Sequence, residues 1–250
     1  MKVALFVPCY IDQFYPQVAV ATLQLLERLQ CEVIFPLNQT CCGQPMANSG
    51  FSNMTDGCNR NFVRNFSGAD YIVSPSGSCV LHIKEHLHDP DEKAATHIRE
   101  NIFELSEFLI DILKVKNLDA RFAHRVGLHV ACHGQRGLYT SSMSETVSVE
   151  YSKPEKLLSM VKDLQLVYPE RRDECCGFGG TFCVFEEAVS VKMGKDRIEQ
   201  HEANEVEFIT STDSSCLMHL EGILKRKRSP VQVRHLAEIL NMAHNDPVYA

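Results

Sequence analysis

The sequence predicts an α/β protein of two pseudo-repeated lobes, each a parallel sheet flanked by helices. Three observations carry that prediction. Short β-branched runs alternate with segments of helical period, the alternation restarts in the second half, and three blocks of residues recur in the same order in both halves. Parallel strands need crossover connections, and the intervening helical segments supply them.

The first lobe, residues 1–117, opens with an apolar strand over 2–8. Residues 14–29 carry Val18, Val20, Leu23, Leu25, Leu26 and Leu29 at helical spacing. A second strand is expected over 32–35, a weaker helix over 48–66 and a third strand over 71–74. A short helix then runs from Cys79 through Leu87, and a polar turn at 89–93 leads to one helix over about 98–113. The second lobe, residues 118–250, repeats the grammar with a strand over 126–131, a helix over 153–161, a strand over 164–168, a helix over 182–201 and a strand over 206–210. The recurring blocks pair Val3-Ala-Leu-Phe-Val-Pro-Cys9 with Val126-Gly-Leu-His-Val-Ala-Cys132, and Cys41-Cys42-Gly43 with Cys175-Cys176-Gly177. They also pair Ser74-Pro-Ser-Gly-Ser-Cys79-Val-Leu-His82 with Ser211-Thr-Asp-Ser-Ser-Cys216-Leu-Met-His219.

Composition narrows the function. The 250 residues include 25 basic and 32 acidic side chains, a formal charge of −7, which is the wrong sign for holding nucleic acid through its phosphates. No apolar run has the length of a membrane span, and residues 3–7 are too short for the core of a signal peptide, so the cytoplasm is the expected compartment. In that reducing compartment the 11 cysteines point to metal binding or redox chemistry before structural disulfides.

Eight of the cysteines belong to the repeat: Cys9, Cys41, Cys42 and Cys79, then Cys132, Cys175, Cys176 and Cys216. Four of them fall at or just beyond the carboxyl ends of expected strands, and both pairs fall in the loop after a second strand. Open α/β sheets bind ligands at that edge, so one four-thiol site per lobe is expected. Adjacent cysteines suit a single zinc ion poorly, because neighbouring side chains of an extended backbone point apart. A multi-iron cluster accepts each thiolate on a different iron.

These residues carry a resemblance to the CCG-motif, cysteine-rich, iron–sulfur-binding family, whose members include the CCG-bearing component of heterodisulfide reductase and iron–sulfur subunits of glycolate and glycerol-3-phosphate oxidation systems. In the first lobe residues 10–40 separate Cys9 from Cys41, and residues 43–78 separate Cys42 from Cys79, close to the family spacing. The second lobe is looser, with 133–174 and 177–215 in those places. The two motifs standing alone, the Cys175-Cys176-Gly177-Phe-Gly-Gly stretch and the short length are most similar to the iron–sulfur subunits of lactate utilisation systems. The resemblance implies one iron–sulfur cluster per lobe, four-iron and either cubane or noncubane. It also implies partners, namely a ferredoxin-type iron–sulfur subunit and a third small subunit of such a system. Where the family motif ends in a further cysteine, this chain has His82 and His219, which become candidate additional ligands.

Cys31, Cys58 and Cys183 have no repeat partner; core packing is expected for Cys31 and a structural role for Cys58, and Cys183 is weighed as a ligand because it follows the second pair closely. Gly177, Gly179 and Gly180 match neither the dinucleotide fingerprint nor the Walker pattern, so no nucleotide is assigned. Arg136, four residues past Cys132, is a candidate for holding a substrate carboxylate. Three functions compete. The first is an iron–sulfur electron-transfer subunit of a multi-subunit, NAD-independent L-lactate oxidising complex. The second is a cluster-based thiol/disulfide oxidoreductase resembling heterodisulfide reductase, and the third is a metal-stabilised scaffold with no redox role. The choice of L-lactate rests on the resemblance alone.

Overall fold

The computed structural model describes residues 1–242. It holds two four-stranded, wholly parallel sheets. The first comprises β1 (Lys2–Leu5), β2 (Glu32–Ile34), β3 (Tyr71–Ser74) and β4 (Ile102–Glu104), in the order β2-β1-β3-β4. The second repeats that order as β6-β5-β7-β8, with β5 (Arg125–Leu128), β6 (Gln165–Val167), β7 (Phe208–Ser211) and β8 (Gln232–His235). Val3, Ala4 and Leu5 are almost wholly buried, as a central strand covered on both faces must be, whereas Glu32 and Ile34 on the edge strand β2 are exposed. Among the described residues no helix is long and apolar enough to cross a membrane.

The six strands expected from the sequence are present: β3 has the expected bounds, and the ends of the other five differ from expectation by one to three residues. Two more, β4 and β8, complete the sheets. The single helix expected over 98–113 is a correction: a helix Glu92–Asn101 stops, β4 pairs with β3, and a new helical segment starts at Leu105. The apolar residues Ile98, Ile102, Leu105 and Leu109 keep helical spacing straight through the break, which hides the strand. What breaks the helix is a capping box. The Glu104 carboxylate accepts from the N–H of Ser106 (2.9 Å) and Glu107 (3.4 Å), while the Glu107 carboxylate accepts from the N–H of Glu104 (3.3 Å). The second lobe repeats the device at His235 and Glu238, where β8 ends and the helix Leu236–Asn241 begins. The helix expected over 182–201 is likewise two, Phe182–Phe185 and Glu187–Glu202.

The helix that follows each sheet crosses to the other lobe. Leu236–Asn241 packs on Pro16–Arg28, and the guanidinium of Arg28 donates to the carbonyls of Leu240 (2.8 Å) and Asn241 (3.2 Å) at its end. Reciprocally, Leu105, Phe108 and Leu109 pack with Leu157 and Leu158 of the helix Lys153–Leu158. A single apolar core therefore spans both sheets, with Val18, Leu25 and Leu26 from one side and Leu236, Ile239 and Leu240 from the other. Two further cores are smaller, and Leu138 of the second lobe joins the first of them. One gathers Phe6, Phe62, Phe66 and Ile83 in the first lobe, and the other Ile198, Ile209, Leu220 and Ile223 in the second.

We propose that 1–117 and 118–250 are units of repetition rather than of folding, since each would expose its half of the shared core; residues 243–250 of the second lie outside the described ones. Fully burying one leucine side chain stabilises by about 1.5–3 kcal/mol, so losing several at once exceeds the usual margin of stability. The full chain should unfold in one cooperative denaturant transition, and a fragment of residues 1–117 should show none. Two separable transitions in the full chain would contradict the shared core.

Candidate metal centres

The topology delivers four thiols to the carboxyl edge of each sheet. In the first lobe Cys9 opens the helix Cys9–Phe14 just past β1, Cys79 lies in the first turn of Gly77–His86 just past β3, and Cys41 and Cys42 come from the loop after β2. In the second lobe Cys132 follows β5, Cys216 lies in the first turn of Ser214–Lys227 after β7, and Cys175 and Cys176 come from the loop after β6. Parallel sheets collect residues distant in sequence at this edge.

Thiol touches thiol along each set. Cys9 Sγ and Cys41 Sγ are 3.8 Å apart, and contacts continue from Cys41 to Cys42 and from Cys42 to Cys79. The second lobe reproduces the chain as Cys132, Cys175, Cys176 and Cys216. Cys42, Cys79, Cys176 and Cys216 are buried, and the other four are half-buried, so each quartet has a closed side and an open one.

One cysteine per quartet is primed as thiolate. The Cys42 and Cys9 thiols and the Gly43 N–H (3.4 Å) donate to Cys41, which holds it down to about 2. The Cys132 and Cys176 thiols and the Gly177 N–H (3.3 Å) do the same for Cys175, again to about 2. Cys9, Cys42, Cys132 and Cys176 are pushed up, because each donates to a neighbouring sulfur and would ionise beside it in a partly buried site. Loading with a cationic metal group therefore releases protons. The glycine after each pair is required by its backbone. Gly43 and Gly177 have φ of +95° and +89°, and a Cβ on Gly177 would stand 2.6 Å from the Ser190 carbonyl oxygen.

A single carboxylate ties the two sites together. Asp213 caps its own helix through Ser215 N (3.1 Å) and Ser215 Oγ (2.7 Å), and its other oxygen accepts from Ser78 N (2.8 Å) in the first turn of the opposite lobe's cysteine helix. Ser76 and Asp213, paired by the sequence repeat, form an antiparallel bridge. The lobes also meet where the Tyr10 ring stands edge-on to Phe178, 5.8 Å between centroids, so the segments following Cys9 and Cys176 are in contact.

The candidate histidines stand behind the thiols. His82 is buried, hydrogen-bonded to the Cys42 backbone and close enough to Cys41 to feel its charge; burial lowers its pKa to about 4. His219 Nε2 donates to the Ser190 carbonyl oxygen (3.2 Å), near Cys175. Arg136 is half exposed and ion-paired with Glu145. Cys31 is in the shared core, Cys58 is half-buried near Gly43, and the Cys183 thiol donates to the Gly180 carbonyl (3.0 Å).

Two residues at the second site escape a reading of the sequence. His129 and Arg197 are both almost wholly buried, and Arg197 Nε donates to His129 Nδ1 (3.1 Å) while its terminal nitrogens donate to the carbonyls of Arg171 and Arg172. A ring nitrogen of His129 and the sulfurs of Cys176 and Cys216 lie within 4.8 Å of one another. The signal is in the repeat itself, which sets His129 against Phe6.

The geometry agrees with what comparison finds. The model of a cysteine-rich domain family, CCG, matches residues 3–84 and again 126–221. The chain is 41% identical over 246 residues to the Lactate utilization protein A of Geobacillus kaustophilus, covering 96% of this chain and 99% of that one. Against the Bacillus licheniformis protein of the same name it is 38% identical over 246 residues, with 96% and 99% covered. A hypothetical protein from Helicobacter pylori shares the fold at a TM-score of 0.55 and 14% identity, covering 98% of this chain and 49% of that one.

Replacing Asp213 with alanine removes an N-cap and leaves the buried Ser78 N–H unpaired. The expected destabilisation is about 2–4 kcal/mol in chemical denaturation. A loss below about 0.5 kcal/mol, within the range of an ordinary surface change, would contradict its bridging role.

Proposed function

The chain belongs to the CCG cysteine-rich domain family, and from that premise we propose that it is an iron–sulfur electron-transfer subunit of a multi-subunit system that oxidises L-lactate to pyruvate. The observation that carries the redox part is the pair of contacting thiol quartets at equivalent sheet edges. The lactate part is supported by relatives named for lactate utilisation, similar over nearly their whole length.

The donor sets fit such a group chemically. Four thiols per lobe match the ligand count of a [4Fe–4S] cluster, and backbone N–H groups already donate to Cys41 in the first set and to Cys175 and Cys176 in the second. When bound, a cluster supplies one-electron transfer. The chain's own residues do the rest: the cysteines hold it, the buried members shield one side from water, and the half-buried members leave the other side open to a partner. His82 and His219 are proposed to support the cysteine loops or complete the ligand set. Oxidising L-lactate to pyruvate removes two electrons and two protons, so two one-electron centres in one chain match the stoichiometry. The sequence offers no dinucleotide fingerprint and no closely spaced ferredoxin cysteine run. Two cytoplasmic partners are therefore proposed, a ferredoxin-type iron–sulfur subunit and a third small subunit.

The test is L-lactate-dependent dye reduction by the purified chain alone and after co-purification with those two subunits. The account expects turnover only with the partners. Appreciable turnover by the chain alone would contradict the division of labour, and no turnover by the assembled system would contradict the substrate.

A further inference from the structure

The two centres match in their cysteines and differ in what stands behind them. Phe6 and His129 occupy the same place in the repeat: Phe6 N donates to Val73 O (2.9 Å) on the neighbouring strand, and His129 N donates to Thr210 O (2.8 Å). In the first lobe that place is hydrocarbon, with Phe6 packed among Phe62 and Phe66 in the apolar cluster that contains Cys42 and Cys79. In the second it is an imidazole beside Cys176 and Cys216.

The protonation of that imidazole follows from its neighbour. An arginine Nε–H can only donate, so Nδ1 of His129, which receives it, is the bare nitrogen and Nε2 carries the proton. Nε2 is buried, and among the described residues nothing accepts from it. A buried donor left without an acceptor costs about 1–3 kcal/mol, which a nearby sulfur acceptor would relieve. Direct ligation through Nε2 would instead require that nitrogen bare and put a proton on Nδ1. That proton would face the Arg197 N–H, donor against donor. Arg197 is kept in place by the Arg171 and Arg172 carbonyls, in the loop leading to Cys175, so the ring cannot easily exchange roles.

We propose that His129, oriented by Arg197, is a hydrogen-bond donor to the sulfur of the second-lobe centre and makes that centre easier to reduce than its first-lobe counterpart. Hydrogen bonds to cluster and ligand sulfurs are a principal determinant of reduction potential, because a donor stabilises the more negative, reduced state more strongly. The buried guanidinium behind the ring acts in the same direction. His129 is a positioning and tuning residue, and His129 and Phe6 make the duplicated sites unequal. The proposal rests on the reading of both centres as iron–sulfur.

The test compares single-centre chains by EPR-monitored redox titration, with Cys42→Ser removing the first centre and Cys176→Ser the second. The second-lobe centre is expected to be reduced at the higher potential. In the Cys42→Ser background, His129→Phe should lower the reduced-to-oxidised ratio at fixed potential about tenfold, which is about 59 mV for one electron, with iron content unchanged. An unmoved potential at full iron content would overturn the donor role, and loss of the iron would make His129 a ligand instead. Protein labelled with 15N-histidine covers the case in which His129→Phe does not fold. With His133→Gln and His219→Gln removing the other imidazoles beside the second-lobe centre, that centre should show the weak nitrogen coupling of a hydrogen-bonded imidazole, and the strong coupling of a ligand, or none, would overturn the proposal. Absence of iron from the wild-type protein would sink the underlying reading, whereas full iron with equal potentials would sink only this inference.

Discussion

One buried carboxylate, Asp213, sets the relation between the two halves. It caps the helix that carries Cys216 and accepts the Ser78 N–H at the start of the helix that carries Cys79. Capping normally satisfies the orphan donors of a single helix. Here one side chain serves two helices related by the internal repeat, so the first turns that hold a cysteine of each quartet are fixed to one another. Ser76 is its repeat counterpart and lacks a carboxylate. The junction is thus asymmetric although the lobes are alike.

The shared core has the same consequence on a larger scale. Each sheet sends its final helix onto the other lobe, so the edges bearing the cysteines are held by a joint apolar core and not by a flexible linker. That rigidity suits the proposed role, in which the protein would hold two redox groups still and change little itself. The contact of Tyr10 with Phe178 brings the loops of the two sites together on one side of the molecule.

Much of this is legible in the sequence because the periodicities and the repeat are both strong. Strand β3 is legible to the residue, since Tyr71 to Ser74 is a compact apolar run between polar loops. Strand β4 is hidden because Ile98, Ile102, Leu105 and Leu109 obey the helical period, and only the hydrogen bonds of Glu104 with Glu107 disclose the break. The exchange of helices between lobes leaves no local trace at all. It depends on which apolar face meets which, a property of the assembled chain. At the sites, the repeated cysteines suffice to name the quartets that the fold brings together. His129 is passed over when the repeat is read for identities, because its meaning lies in a difference. Arg197, with no motif around it, is recognisable only through its hydrogen bonds.

The account stands or falls on each lobe holding an iron–sulfur centre of its own. The most direct measurement is iron and acid-labile sulfide per chain in protein prepared without exposure to air, for the wild type and for Cys42→Ser and Cys176→Ser. The account predicts iron and sulfide in equal amounts in the wild type, four of each per lobe for a [4Fe–4S] cluster. It predicts that each substitution removes half and that Cys31→Ser, in the shared core, removes none. Stoichiometric zinc with no iron in the wild type, or a loss of all the iron from either single substitution, would contradict it.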